Sequence, residues 1–380
     1  MGGDTVRLDG NTLMLPGGVG VRFIRTLRLP EQGTHALPPG LGDFPLRRVA
    51  DYADQVPSEW AQRGGVMLPI YLREALWLSF TTKEPAALQV GVGKVCAVSG
   101  KPWSDRLARD PQNYVVLPRQ PWLDGINSGA GTIRQFVAVP LGLGATVEGQ
   151  VTGEETWGGI QLQNFELNPT ELARWRAAEA ERRRAEAERH RLQVERAMEE
   201  EVRAVRQKYH EEEEWRFEAP APGSAPGQVY ASPRDPGSSP GYSGRMFAKR
   251  SRAARPMGLG VGGTMRQEIF QDERAPSDWA VERSGRVFVH LVTPPDWQRI
   301  TGEAAPQSPA DRAAYTKAGL PWFDYFDSEA TDLAPADSLS GVAPVGDWLG
   351  DDHEPWQEPA PGQIHELGGK KGAPVQDGEW

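Results

Sequence analysis

The chain has 380 residues, 38% of them apolar, with 43 Gly, 33 Pro and a formal net charge of −10. Gly and Pro together make roughly one residue in five, against about one in eight on average, so part of the chain lacks a packed core. The acidic balance argues against broad nucleic-acid or anionic-membrane binding. The single cysteine, Cys96, excludes an internal disulfide and a cysteine zinc site, and fits a cytoplasmic setting.

The first residues, MGGDTVRLDG, lack the apolar core and basic start of a signal peptide. The most apolar window, GVMLPIYLREALWLSF, is interrupted by Pro69, Arg73 and Glu74 and is too short to span a bilayer. No membrane span is expected.

Residues 5–167 read as a β-rich domain. VRFIRTLRL alternates, and ALQVGVGKVCAV, YVVLP, TIRQFVAVPLG, ATVEGQVTG and GIQLQNFEL follow as short β-branched runs separated by Gly, Pro or Asp-Gly. That spacing predicts antiparallel sheets of a sandwich or barrel. One or two helices are expected in FPLRRVADYADQVPSEWAQR. From 168 to 218 the composition turns to Ala, Glu and Arg without Gly or Pro, with Asn168 as cap and Pro169 in the first turn, which predicts a helix about 70 Å long. Its apolar stripe, Val194, Met198, Val202, Val205 and Tyr209, suits a coiled coil or docking helix, and the charged remainder suits a solvated spacer. Residues 219–244 read as a disordered Pro/Gly/Ser linker and 245–349 as a second, α+β region packing with the first. Residues 350–380 read as a disordered acidic tail. The fold class is thus β-rich α+β, with a long charged helix inserted between two compact regions.

Chemistry-bearing patterns are sparse. The G-x-G pieces GVGVRF, GVGKVC, GLGAT and GLGVGG lack the following helix that a phosphate loop needs, and strand-edge turns explain them better. Cys96 sits mid-strand among apolar residues, and no serine stands in a nucleophile elbow. His290 lies inside VFVHLV as a strand histidine, and no metalloprotease histidine pair exists. Asp324, Asp327, Glu329 and Asp332 do not follow a calcium-loop template. No cofactor, metal or catalytic set is expected.

Thirteen tryptophans are an unusual excess. Trp103, Trp122, Trp297 and Trp322 stand beside prolines, as loop anchors or as a stacking platform for a sugar or peptide. Arg134 and Arg266 are further candidate ligand-binding residues, in the repeated pattern Gly-Thr-x-Arg-Gln at residues 131–135 and 263–267. Strand alternation places Gln135 and Gln267 with the apolar residues, where each would bond backbone, and sets each Arg across from them, Arg266 pairing with Glu268.

VGVGKVCAVSGKPW, PQNYVVLPRQPWLDGI, IRQFVAVPLG with GLGATVEGQVTGEE, and further on MRQEIFQD, RVFVHLV and GLPWFDYFD together resemble a widespread, mainly bacterial family of uncharacterised proteins. The resemblance implies that the two compact regions belong together and that helix and linker are a variable insertion. It supplies no reaction or ligand. Three functions remain: a non-enzymatic interaction or self-assembly protein, with a protein partner or a second copy; a carbohydrate- or peptide-binding module using exposed tryptophan; and an enzyme of unidentified class, with Arg134, Glu148, Glu154 and Arg266 as scattered polar residues.

Overall fold

The structure is a computed structural model that describes residues 5–216 (except 32, 39 and 130), 254–307, 337–345, 374–378 and 380. Of side chains it leaves out 205–216, 337 and 340. The linker 219–244, Trp322, the acidic set 324–332 and most of 350–380 lie outside the described residues. In chain order the strands are β1 (Arg7–Asp9), β2 (Thr12–Leu15), β3 (Val19–Thr26), β4 (Thr34–His35), β5 (Arg47–Arg48), β6 (Val66–Pro69), β7 (Ala75–Thr81) and β8 (Ala86–Val92). There follow β9 (Val95–Cys96), β10 (Val115–Leu117), β11 (Trp122–Leu123), β12 (Gly125–Gly129), β13 (Thr132–Pro140), β14 (Ile160–Glu166), β15 (Pro256–Arg266) and β16 (Gly285–Val292). The helices are α1 (Ser58–Arg63), α2 (Val147–Thr152), α3 (Pro169–Arg216), α4 (Pro294–Thr301) and the one-turn α5 (Asp337–Ser340).

All sixteen described strands share one hydrogen-bonded sheet, whose main path runs β1-β2-β3-β7-β13-β15-β16-β14-β8-β10. The pairing is antiparallel apart from β4 beside β15 and β6 beside β16. The expected β-rich, antiparallel character is present, but the barrel is not: the path ends at β1 and β10 without closing. A physical reason lies at β1, where Arg7 bridges Pro374 and the Val375 N–H donates to the Val6 carbonyl at 2.7 Å. A segment distant in sequence covers the edge that a closing strand would need. Nor are there two separate sheets of a sandwich, since strands from both sides of the helical insertion interleave in one ladder. Met1–Leu172 and Arg252–Trp380 cluster as one compact unit.

The two copies of Gly-Thr-x-Arg-Gln lie on β13 and β15 and pair with each other. Thr132 faces Arg266, Ile133 faces Met265 and Arg134 faces Thr264, so the copies meet about a local two-fold at Ile133–Met265. Four further strands of the path lie on either side of this pair. Both glutamines are 1% exposed. Gln135 accepts the Leu29 N–H through Oε1 at 2.9 Å and donates Nε2 to the Leu27 carbonyl at 2.7 Å. Gln267 accepts the Asp124 N–H at 3.1 Å and donates to the Trp122 carbonyl at 3.2 Å. Each amide thus takes an N–H and the carbonyl two residues before it, as a neighbouring strand would.

The arginines differ. Arg134 is half-buried and donates to the Val342 carbonyl. Arg266 is exposed and does not pair with Glu268, because β15 ends at Arg266 and residues 267–270 are all buried, which breaks the alternation. The glycine-rich runs fall in strands and turns: GLGVGG is part of β15, and Gly93-Lys94, both at positive φ, form the two-residue turn joining β8 to β9.

The second unit, Ala173–Ser251, is described by α3 alone. The Glu171 N–H donates to the Asn168 side chain at 2.9 Å, the cap that the composition change predicts. No described helix is long and apolar enough to cross a membrane.

A Gln135→Leu substitution leaves two buried backbone groups without partners, each worth about 1–3 kcal/mol. We expect it to lower unfolding stability by about 2–4 kcal/mol in urea denaturation, with Arg266→Ala within about 0.5 kcal/mol of wild type. A neutral Gln135→Leu would remove the surrogate-strand role.

Candidate peptide-docking groove

Helix α1 ends in two glycines. Gly64 (φ 65°) donates its N–H to the Trp60 carbonyl, and Gly65 (φ 82°) follows. A Cβ on Gly64 would stand 2.5 Å from the Gln376 carbonyl oxygen, and one on Gly65 would stand 2.0 Å from that of Phe288. Only glycine lets the chain turn here and lie flat between β16 on one side and residues 376–378 on the other.

Residues 376–378 run along this turn in main-chain register. The Gly65 N–H donates to the Gln376 carbonyl at 2.6 Å, Asp377 bridges Gly64, and the Gly378 N–H donates to the Arg63 carbonyl at 2.9 Å. Val375 is buried in the main core, and Arg48 donates to the Pro374 carbonyl at 3.1 Å. Gly378 approaches most closely: a Cβ there would lie 1.8 Å from the Gln62 carbonyl oxygen.

Arg286 on β16 clamps the segment. Its Nε donates to the Asp377 carboxylate at 2.8 Å, its Nη2 to the Gly378 carbonyl at 3.0 Å and its Nη1 to the Trp380 carbonyl at 3.3 Å. Asp377 uses its other oxygen to accept the Trp380 indole N–H at 3.0 Å. The indole sits under Arg286, 4.5 Å from the guanidinium carbon, edge-on to Phe288 at 5.7 Å and 6.1 Å from Trp103. With its side chain 13% exposed, Arg286 is a desolvated cation that needs the acidic partner Asp377 provides.

A second cationic-aromatic group borders the groove. Lys94 Nζ lies 3.3 Å and the Arg63 guanidinium 4.3 Å from the Trp157 ring centre, and Arg63 also lies over Phe288. Burial, then the charge of Arg63, lowers the Lys94 pKa, and burial lowers that of Arg63. Glu148, raised by its own burial, accepts the N–H groups of Thr156, Trp157 and Gly158 and fixes the loop that carries Trp157. The arrangement suits an extended, acidic, aromatic peptide.

Of the residues singled out from sequence, Trp103 belongs to this groove. Trp122 is half-buried against the core, Trp297 is fully buried beside Trp60 and Met67, and Arg134 and Arg266 sit on the central ladder. Val194, Met198 and Val202 are exposed on α3, while the side chains of Val205 and Tyr209 lie outside the description. Arg286, Phe288, Gly378 and Trp380 were not legible as a site. The period-2 pattern R-V-F-V-H does put Arg286, Phe288 and His290 on one strand face, and a tryptophan closing an acidic stretch was the other available signal.

Among the described residues, the cysteine and His290 are both held in buried hydrogen bonds. Cys96 is buried, its thiol pushed up by burial, and it donates to the Asn113 carbonyl at 3.3 Å. His290, stacked on Trp60 and tilted against Phe288, bonds the Gly64 carbonyl oxygen at 3.0 Å, and burial pushes its pKa down to about 3. Among the described residues no cluster of three or more His, Cys, Asp or Glu could hold a metal ion. Comparison with family models, curated proteins and solved structures found no match.

The neutral His290 sets a pH response. Between its ordinary pKa near 6.5 and about 3 the unfolded ring binds a proton that the folded ring does not, so this contribution to stability is lost as pH falls through that window. Glu74, Asp124 and Glu148, raised by burial, act in the opposite sense, so the readout is a difference between proteins. From pH 7 to 5 wild type should lose about 2 kcal/mol more than His290→Gln does. Equal pH dependence of the two in chemical denaturation would mean that His290 protonates in the folded state.

Proposed function

We propose that this chain is a non-enzymatic protein-interaction module. Its groove binds an extended acidic-aromatic peptide, and its own residues 374–378 with Trp380 are the resident occupant. The observation that carries this reading is the Arg286 clamp, whose three nitrogens all donate to the docked segment. Such recognition combines main-chain pairing at a sheet edge with side-chain pockets that select the sequence.

The chemistry defines what the groove accepts. Asp377 satisfies both Arg286 and the Trp380 indole, glycine is required at 378 by close backbone approach, and the Trp380 ring fills the space between Arg286, Phe288 and Trp103. The pattern is therefore Asp-Gly-x-Trp in an extended segment. Trp103 lies tilted against another indole, that of Trp380, and an indole neighbour favours a peptide over a sugar on this surface.

Gly378→Val places a branched side chain against the Gln62 carbonyl and should release the resident segment, exposing the tail to proteolysis. A labelled PVQDGEW peptide should then bind the Gly378→Val protein in fluorescence anisotropy, and added Arg286→Ala should weaken that binding by roughly 10-fold or more, since it removes three hydrogen bonds to the peptide. A released tail with no peptide binding would end the proposal.

A further inference from the structure

Three cations gather around Phe288, Trp157 and Trp380, and the docked segment brings an acid to one of them. Arg286 takes Asp377, whereas Lys94 and Arg63, half-buried on the Trp157 ring, make no ion pair among the described residues. The carboxylates whose charge reaches them are engaged elsewhere or stand apart. Glu148 accepts the N–H groups of residues 156–158, Asp105 pairs with Arg283 at 3.7 Å, and Glu59 is exposed one turn earlier on α1. Fully exposed cations without an acid are ordinary, because water serves them. These two are partly withdrawn from water and crowd one another. Burial lowers the pKa of each, and the charge of Arg63 lowers that of Lys94 further, so an arriving anion would relieve both.

We infer that Lys94 and Arg63, over Trp157, form a binding site for a dianion of the phosphate class. Both charged centres stand over one ring and so lie within about 8 Å of each other, a gap that a tetrahedral oxyanion spans with N–H···O contacts of about 2.8 Å on each side. Two positive charges match its two negative ones. The guanidinium fork takes two of its oxygens side by side, and the ammonium takes a third. The indole holds the cations through its ring face and offers no oxygen that competes with the anion. The frame is fixed from behind. Lys94, at φ 62° in the turn joining β8 to β9, gives its N–H to the Gln161 side chain at 2.9 Å, and its carbonyl takes the Trp103 N–H at 2.8 Å. Arg63 ends α1, and Glu148 holds the loop of Trp157. None of the hydrogen bonds that hold residues 374–378 and Trp380 uses the Lys94 or Arg63 side chain, so the site stands whether or not the groove is occupied.

Calorimetric titration of the full chain with inorganic phosphate tests the site, at pH 7.5, where phosphate is mostly doubly charged, and at ionic strength held constant with chloride. Binding should saturate at one phosphate per chain. It should weaken by roughly 10-fold or more in Lys94→Met and in Arg63→Met, and persist in Lys94→Arg. Circular dichroism and thermal melts confirm that each variant folds as wild type. Lys83→Met, which removes an exposed lysine from another turn, should bind as wild type does. A phosphoserine peptide is titrated in parallel. Tighter binding than inorganic phosphate, with the same loss in Lys94→Met, would identify a phosphorylated partner as the source, and equal binding would identify the free ion. No saturable binding of either probe, binding retained in both Lys94→Met and Arg63→Met, or an equal loss in Lys83→Met would overturn the assignment.

Discussion

The pairing of β13 with β15 is the contact on which the larger unit depends. It joins the two five-strand halves of the path and brings a segment before the helical insertion against one after it. What makes this ladder unusual is how its ends are finished. Gln135 and Gln267 present to neighbouring chain the same donor and acceptor that a peptide group would. Elsewhere, Gln112 bonds the Asp272 N–H and the Tyr114 and Phe270 carbonyls, Gln150 bonds the N–H and carbonyl of Ala343 and the Ala145 carbonyl, and Gln161 bonds the Lys94 N–H and the Gly158 carbonyl. Ordering a glutamine costs about 1.5–2 kcal/mol of rotamer entropy. Leaving two buried peptide groups unsatisfied costs more, so in these irregular joints the amide is the cheaper solution.

A sheet that ends instead of closing leaves an exposed edge, and the groove is a consequence of that. Residues 374–375 cover β1, and the chain then passes the Gly64-Gly65 turn to reach Arg286. Arg286 stands among Phe288, Trp103 and Trp380, where a cation without a carboxylate would be desolvated and unpaired. The packing of this segment and the stability of this edge are therefore linked, because Asp377 and Trp380 bring an acidic group and an apolar one to Arg286 and Phe288 in the same stretch.

Periodicity and composition made some of this legible. The period-2 runs gave strands such as VFVHLV, the capped charged run gave α3, and the alternation in TIRQ and TMRQ gave the inward glutamines. Their direct pairing was not legible, because the two strands are separated by more than a hundred residues and nothing local encodes which strands become neighbours. The closed barrel failed for the same reason, since closure depends on what covers the edge strand. The groove was hidden more deeply. Its parts come from α1, β16, the loop at Trp103 and residues 374–378 with Trp380, and the last belong to a stretch whose acidity and Pro/Gly content suggest no packing. Proline-flanked tryptophans pointed to Trp103 but equally to Trp297, which is fully buried, because a Pro-Trp neighbourhood pins loops to cores as readily as it lines a groove.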